Sequence, residues 1–433
     1  MKRWATVFLV FLFFSRCGWC QDLQRRTFIG LDSARKGSAI VVQRVENAGT
    51  AEDAGILPGD VLVSIGQIPI SDPDQVGLAA RRYPAGTNVQ FTIERNGQRL
   101  VKTSVGWPVP YESSPHADVL YRSVPVEGAL YRAIITKPKS DGRHPAVFLI
   151  SGLGCYSLDG EREDGDGYGR ILYGLTRAGY VTMRVEKSGE GDSEGPPCNS
   201  PQADLHLAVK RSTAGIRALK NYDFVDPERV IIFAHSIGPI EGALVAGEVP
   251  VKAFIAAETI GRSWFDYQIE IARSQPLLLG EPYDKVESWS RSNELCISKF
   301  YIEELAPEAI RKSNPACSSY LPTQGDVPYT YFQQVASVNL PEAWKKIDIP
   351  VLVIYGTSDP TTSAEESRYL ADMINSFHPG RATYLQIEGM SHHFDRQPTQ
   401  GGALRALRSG KNGEFDPGFL KQIESWINSL VHA

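Results

Sequence analysis

The sequence has no surplus of positive charge. It contains 45 Lys and Arg residues against 50 Asp and Glu residues, which gives a formal net charge of −5. Because a nucleic-acid binder needs a basic surface, this balance argues against nucleic acid as a partner. Paired basic residues such as Lys210-Arg211 and Lys345-Lys346 are interpreted as solvated helix faces.

Long apolar runs are also missing. The most apolar stretch, Ala5–Phe14, follows Lys2 and Arg3 and is only about half as long as a membrane-spanning helix of ~20 residues. A basic start followed by a short apolar core is typical of a secretory signal peptide, which we place at residues 1–20. We therefore expect a secreted or periplasmic protein with no permanent membrane span after cleavage, while an uncleaved signal anchor remains an alternative.

Cysteine is scarce, with six residues in the chain. Cys17 and Cys20 lie in the predicted signal, and Cys20 follows Trp19 rather than the small residue that precedes a lipid-modified cysteine, which disfavours a lipid anchor. The other four do not have the spacing of a zinc site. In an oxidising compartment they are expected to form disulfides. We favour Cys155–Cys198 and Cys296–Cys317, and four reduced thiols are the alternative.

Residues 24–107 are predicted to form a small β-rich domain. β-Branched runs at 39–42, 61–65 and 89–93 indicate strands, and the Asn96-Gly97 pair indicates a tight hairpin turn. A short helix is expected near Ala51 and a second at about 73–82. The proline-rich segment 108–116 is interpreted as a linker.

Three features of this domain resemble PDZ domains of the bacterial HtrA-like type, namely Phe28-Ile29-Gly30-Leu31, Ala54-Gly55-Ile56-Leu57-Pro58-Gly59-Asp60 and the helix expected at about 73–82. The resemblance implies that the Phe28–Leu31 loop presents backbone N–H groups to the terminal carboxylate of a peptide, which then adds as a strand. A protein C-terminal tail is thus a possible partner. The alternative is a module that serves only packing or dimerisation.

From residue 117 to 433, strand and helix patterns alternate, which predicts an α/β fold with a mostly parallel sheet. The predicted strands lie near 118–124, 129–137, 145–151, 180–185, 229–234, 252–257, 350–355 and 382–387. The predicted helices lie near 167–178, 203–221, 239–247, 364–377 and 417–430. Residues 262–345 interrupt the alternation and are interpreted as a cap, whose Trp264, Tyr267, Arg273 and Trp289 either line an acyl pocket or pack the cap.

The strand Val230–Phe233 leads into Ala234-His235-Ser236-Ile237-Gly238. A serine between small residues at a strand-to-helix turn is typical of a nucleophile elbow. A serine hydroxyl needs a base, and the base needs an acid that orients it. Downstream, Asp359 and then His392 each follow a predicted strand, so all three side chains are expected at one edge of the sheet. His393 and Glu258 are the alternative base and acid.

Two backbone N–H groups are expected to stabilise an oxyanion, those of Ile237 and Leu153. Leu153 lies in Ser151-Gly152-Leu153-Gly154, where related hydrolases carry His-Gly-x-Gly. A further loop, 184–195, resembles the glycine-containing loop after the fourth strand of the same family. From Arg132 onward the chain therefore resembles the α/β-hydrolase superfamily, near its esterase and serine aminopeptidase-like branches.

This resemblance implies a serine hydrolase that needs no metal and no cofactor. Ala234 in place of the first glycine of the elbow, and Pro239 after Gly238, are mild departures from the family pattern. We expect cleavage of a small carboxylic ester, or an amide, through an acyl-enzyme on Ser236. A peptidase of the same fold, and a peptide-binding adaptor with an inactive hydrolase domain, are the alternatives.

Overall fold

The structure is a computed structural model that describes residues 23–73, 75–165, 167–322, 327–411 and 413–431. The predicted signal peptide, residues 1–20, lies outside the described residues. Within the described ranges, no helix combines the length and the apolar character needed to cross a membrane.

The N-terminal sheet has the strand order β2-β3-β4-β6-β7, with β5 paired to β4, and a separate ladder joins β1 to β8. Its elements are β1 Thr27–Phe28, β2 Leu31–Lys36, β3 Ala39–Val45, α1 Thr50–Asp53, β4 Val61–Ile65, β5 Ile68–Pro69, α2 Gln75–Ala80, β6 Asn88–Arg95, β7 Gln98–Val105 and β8 Trp107–Pro108. The predicted hairpin turn joins β6 to β7. Asn96 and Gly97 both have positive φ values, of 54° and 74°, as the turn type favoured by an Asn-Gly pair requires.

The larger sheet has eight strands in the order β16-β15-β14-β13-β11-β12-β10-β9. Its strands are β9 Ala117–Val126, β10 Ala129–Pro138, β11 His144–Ile150, β12 Val181–Val185, β13 Val225–His235, β14 Ala253–Ala257, β15 Val351–Gly356 and β16 Ala382–Ile387. β9 and β10 form an antiparallel hairpin, β10 is also antiparallel to β12, and the six strands β11 to β16 run parallel to one another.

Helices cover both faces of this sheet. They are α3 Gly167–Arg177, α4 Leu205–Lys220, α5 Gly238–Ala246, α11 Ala364–Phe377 and α13 Pro417–Val431, and a further helix, α12 Gln400–Arg408, lies between β16 and α13 in the chain. One hydrophobic core includes α4, α5 and α11, and the other, on the opposite face, includes α3 and α13. Strands such as β14 are buried throughout, as expected for a parallel sheet covered on both sides. The sequence patterns did not predict α12.

The predicted cap is helical, with no strand among its described residues. It contains α6 Trp264–Leu278, α7 Tyr283–Tyr301, α8 Pro307–Ser313, a 3₁₀ turn at Pro315–Ser319, α9 Tyr329–Ser337 and α10 Leu340–Trp344. Both favoured cysteine pairs are at disulfide distance. Cys296–Cys317 joins α7 to the 3₁₀ turn, and Cys155–Cys198 joins the loops that follow β11 and β12.

The two sheets are connected by a buried cation. The Arg25 guanidinium, in the segment before β1, donates to Asp159 at 2.5 Å and to Asp192 at 2.6 Å. It also lies over the rings of Tyr111 and Tyr121, with centroid distances of 4.6 and 4.9 Å. Arg25 is 5% exposed, so two carboxylates and two aromatic faces replace the water that would otherwise solvate it.

We expect Arg25→Met to lower the free energy of unfolding by about 3 kcal/mol, because buried Asp159 loses its counter-charge and Asp192 keeps only Arg132. The control Arg44→Met removes an ion pair whose arginine is 64% exposed and is expected to leave the unfolding midpoint nearly unchanged. Urea denaturation followed by circular dichroism measures both. Equal unfolding midpoints for the two variants would contradict this role of Arg25.

Candidate functional site

Ser236 stands at the sharp turn between β13 and α5. Its φ of 62° lies in the left-handed region, which is uncommon for a residue with a side chain and occurs where surrounding structure enforces it. The Ser236 N–H donates to the Ala257 carbonyl at 3.0 Å, and the Thr259 hydroxyl donates to the Ser236 carbonyl at 2.7 Å. A Cβ on Gly238 would lie 2.6 Å from the Ile150 carbonyl oxygen, so the turn requires glycine there.

The structure brings Ser236, His392 and Asp359 into one hydrogen-bonded line. The Oγ of Ser236 is 3.0 Å from Nε2 of His392, and Nδ1 of His392 is 2.9 Å from Oδ2 of Asp359. Asp359 is completely buried. Burial alone would raise the pKa of Asp359, but the charge of His392 and hydrogen bonds from His392, Glu258 and Thr362 outweigh it and lower the pKa. Asp359 therefore remains a carboxylate beside the imidazole.

Glu258, the alternative acid, lies beside Asp359 rather than in its place. A ligand atom of Glu258 lies within 4.8 Å of those of Asp359 and His392. Burial, and then the negative charge of Asp359, raise the pKa of Glu258 well above its usual value. Among the described residues neither Glu258 oxygen accepts a hydrogen bond at normal distance, so ionisation would leave an unpaired buried charge. A protonated Glu258 carboxyl can donate to Asp359 beside it.

This group also has the residue types of a metal site. However, both ring nitrogens of His392 are already engaged, one by Asp359 and one by Ser236. The contacts therefore match a path for proton transfer better than a set of open metal ligands.

A chain of hydrogen bonds connects the three loops around Ser236. The Gly152 N–H donates to the Tyr168 hydroxyl at 2.9 Å, and that hydroxyl is 2.7 Å from Nδ1 of His235. Nε2 of His235 donates to the His392 carbonyl at 2.8 Å, so Nδ1 is the acceptor for Tyr168. Burial, and then the neighbouring His392, lower the pKa of His235. The imidazole is therefore neutral, as this pattern of one donor and one acceptor requires.

Lys187 holds the loop that carries Leu153. Its Nζ donates to the carbonyls of Gly152 and Gly154, both at 2.6 Å, and lies 3.9 Å from the ring centroid of Tyr156. In a planar trans peptide the C=O and the following N–H point in opposite directions. By fixing the Gly152 carbonyl, Lys187 therefore sets the direction of the Leu153 N–H.

The N–H groups of Leu153 and Ile237 donate to no other atom of the described structure. Gly152, next to Leu153, approaches Ser236 so closely that a Cβ on it would lie 3.3 Å from the Ser236 Cβ. Both N–H groups predicted to bind an oxyanion are thus available near the serine.

Ser236 and His392 open into a cleft of about 580 Å³. Its wall includes Leu153, Tyr156, Tyr168 and His393. The ring that contacts the Ser236 hydroxyl is that of His392, not that of His393. The cap aromatics are elsewhere.

Trp264 and Tyr267 are buried with ring centroids 4.9 Å apart. Arg273 pairs with Glu294, and Trp289 lies under Lys285. Within the described structure, then, none of the four cap residues lines this cleft, and the packing interpretation of Trp264 and Tyr267 holds.

Sequence comparison agrees with this architecture. Residues 147–401 match the model of the alpha/beta hydrolase family, which is more than half of the chain. The chain belongs to the alpha/beta hydrolase family. Residues 27–104 match the model of the PDZ domain, which confirms the resemblance inferred from the Phe28–Leu31 loop.

Individual relatives of this alpha/beta hydrolase are distant. Esterase EstD of Thermotoga maritima is 23% identical over 295 residues, which are 65% of this chain and 63% of that protein. This chain thus aligns with less than two thirds of its curated relative. Among solved structures, Est1E from Butyrivibrio proteoclasticus is 16% identical with a TM-score of 0.45, covering 73% of this chain and 99% of that chain. The Pyrococcus furiosus esterase Pf2001 is 13% identical with a TM-score of 0.44, covering 75% and 94% respectively.

Sequence patterns did not identify three residues of the candidate site. His235 lies inside the elbow motif but was interpreted only as part of the turn. Lys187 lies in the glycine-containing loop, to which only a backbone role was assigned. Tyr168, near the start of α3, had no motif that could identify it, because its role depends on a contact with His235, 67 positions away.

Substitutions of Glu258 test whether its protonated carboxyl donates a hydrogen bond to Asp359. We expect Glu258→Gln to keep kcat within about threefold, because the amide N–H replaces the protonated carboxyl as donor, and Glu258→Leu to lower kcat about tenfold or more. Steady-state ester hydrolysis measures both. Equal losses in the two variants would contradict donation by a protonated Glu258.

Lys187 gives a second test. We expect Lys187→Met to lower kcat by about tenfold to a hundredfold with little change in KM. Without Lys187 the Leu153 N–H is displaced, and the contact expected of this N–H is with the oxyanion, which forms mainly in the transition state. The matched control is Lys210→Met, since Lys210 is exposed and pairs with Glu127. A rise in KM at constant kcat would show that Lys187 contributes to substrate binding instead.

Proposed function

We propose that this chain hydrolyses carboxylic esters through an acyl-enzyme on Ser236. The observation that carries this proposal is the line of Ser236, His392 and Asp359, with hydrogen bonds of 3.0 and 2.9 Å. A nucleophile, its base and an orienting acid at these distances are what acyl transfer needs. The geometry thus favours an active hydrolase domain over an inactive one.

In the proposed reaction the Ser236 oxygen attacks the ester carbonyl while its proton passes to Nε2 of His392. The carbonyl oxygen gains the negative charge, which the N–H groups of Ile237 and Leu153 stabilise. The tetrahedral intermediate collapses, and the alkoxide leaving group departs with the proton from His392. Water, deprotonated by His392, then attacks the acyl-serine and releases the acid. Asp359 holds the imidazole in the required tautomer and stabilises its charged form.

We propose further that the PDZ domain binds a peptide or a protein C-terminal tail. Gly30 has a φ of 70°, and the N–H groups of Ile29 and Gly30 donate to no atom of the described structure. β2, which follows at once, is an edge strand of its sheet. A terminal carboxylate at these N–H groups and a strand added to β2 satisfy both features.

We also propose that the protein acts outside the cytoplasm. The signal-like N-terminus supports this, and so do the pairs Cys155–Cys198 and Cys296–Cys317, because disulfides persist in oxidising compartments.

The decisive experiment is labelling with a fluorophosphonate probe, combined with a panel of short-chain nitrophenyl esters and aminoacyl nitroanilides. We expect the full chain to be labelled and to hydrolyse the esters. Ser236→Ala should remove the labelling and lower ester kcat by about 10⁴-fold or more. Turnover of the nitroanilides alone would indicate a peptidase. Tail-peptide affinity without labelling or turnover would indicate an inactive adaptor.

A further inference from the structure

A second cavity lies behind the loop that carries Leu153. It has a volume of about 60 Å³. Gly152 and Leu153 line both this cavity and the cleft that contains Ser236. Its wall also includes Lys187 from the loop after β12, and Arg211, Glu241 and Tyr331 from α4, α5 and α9. We refer to it as the Arg211 cavity.

Arg211 is the unexplained group in this cavity. The interpretation of Lys210-Arg211 as a solvated pair is wrong for Arg211, which is only 8% exposed. No hydrogen bond from its guanidinium to the described residues is formed, and its Nε is both buried and without a partner. Its nearest counter-charge is an oxygen of Glu241, 3.6 Å from Nη2. A buried arginine with unused donors is costly unless something else accepts from them.

The other charges around the cavity are already engaged. One oxygen of Asp204 accepts from the Leu207 N–H and the other from Gln334. Glu241 also accepts from the Ser212 hydroxyl. Removal from water, and then the positive charge of Arg211, lower the pKa of Lys187, which also lines the cavity, to about 7.

We propose that the Arg211 cavity binds a carboxylate group at the far end of the acyl chain of the substrate. This inference rests on the proposed ester hydrolysis and narrows its substrate class to esters of short dicarboxylic acids. The planar guanidinium of Arg211 donates two parallel N–H···O hydrogen bonds to the substrate carboxylate, as in other bidentate arginine–carboxylate pairs. On its other side Gly152 approaches Ser236, since a Cβ on Gly152 would lie 3.3 Å from the Ser236 Cβ.

The size of the cavity suits such a group. A cavity needs roughly 10–15 Å³ to hold one water molecule. A volume of about 60 Å³ therefore accommodates a carboxylate with one or two methylene groups. Leu207, Ala208 and Val327 supply apolar wall for those methylenes. A long fatty acyl chain does not fit, and a neutral acyl chain leaves the Arg211 donors unused.

The test compares two esters on the full-length protein. One is the monomethyl ester of glutaric acid, and the other is its isostere in which an isopropyl group replaces the carboxylate. We expect the wild type to prefer the first by at least about tenfold in kcat/KM. Arg211→Gln should remove this preference, mainly through a rise in KM of roughly tenfold to a hundredfold. Arg211→Lys should restore part of it. Arg217→Gln, an exposed position on the same helix, is the matched control and should leave the preference unchanged.

Glu241→Gln separates substrate binding from a structural ion pair. If Arg211 binds the substrate, removing its competing carboxylate lowers KM for the carboxylated ester. If Arg211 and Glu241 only stabilise the fold, both variants lower the unfolding midpoint and leave the ratio of the two esters unchanged. That second result, or a wild-type preference for the neutral ester, overturns the proposal.

A binding measurement keeps this proposal distinct from the proposed function. Calorimetry with the full-length Ser236→Ala variant tests whether the monomethyl ester binds without being turned over. We expect binding that Arg211→Gln abolishes in the same background. Absence of binding overturns the carboxylate site even if neutral esters are hydrolysed. Binding that depends on Arg211, in a protein that no fluorophosphonate labels, supports the site and rejects ester hydrolysis.

Discussion

The hydrogen-bond path from Gly152 through Tyr168 and His235 to His392 is the constraint on which the candidate site depends. It joins the loop after β11, the start of α3, the turn after β13 and the loop after β16. Every link uses a group with a fixed donor or acceptor role, because burial keeps His235 neutral. Since a buried polar group without its partner is costly, a shift of one loop would break a hydrogen bond in the next. The path therefore holds the loops in one arrangement.

Charge reinforces this arrangement from the side of β12. The loop after β12 supplies Lys187 to the carbonyls of Gly152 and Gly154, and Asp192 of the same loop receives Arg25 from the segment that leads into the N-terminal sheet. Arg81, directly after α2, pairs with Glu190 at 2.6 Å. One short loop thus contacts the PDZ domain on one side and the loop of the candidate oxyanion hole on the other. The loop that contacts the PDZ domain therefore also contacts Gly152, whose backbone approaches Ser236.

The strand and helix positions could be predicted because they depend on local patterns. Buried parallel strands are continuous apolar runs, and α11 was expected at the bounds the structure gives, since Ser363 caps it and its apolar positions repeat with helical spacing. The helix α12 was not expected, because it is short and carries two glycines at its start. Arg211 was misjudged for a related reason. A basic pair on a helix is usually solvated, and the tertiary packing of α4 against its neighbours makes Arg211 buried.

The sequence by itself determined the order and type of the candidate groups: a serine at a strand-to-helix turn, then an acid and a histidine that each follow a strand. It also determined the PDZ-like loop, because both depend on short segments whose backbone conformation is set locally. Only the tertiary structure decided that His392 rather than His393 contacts Ser236, and that Glu258 supports Asp359 instead of replacing it. Only the tertiary structure brought Lys187 and Arg211 to the loop that carries Leu153. Those outcomes depend on distances between residues far apart in the chain, which hydrophobic packing of the sheet and its helices fixes and local patterns do not encode.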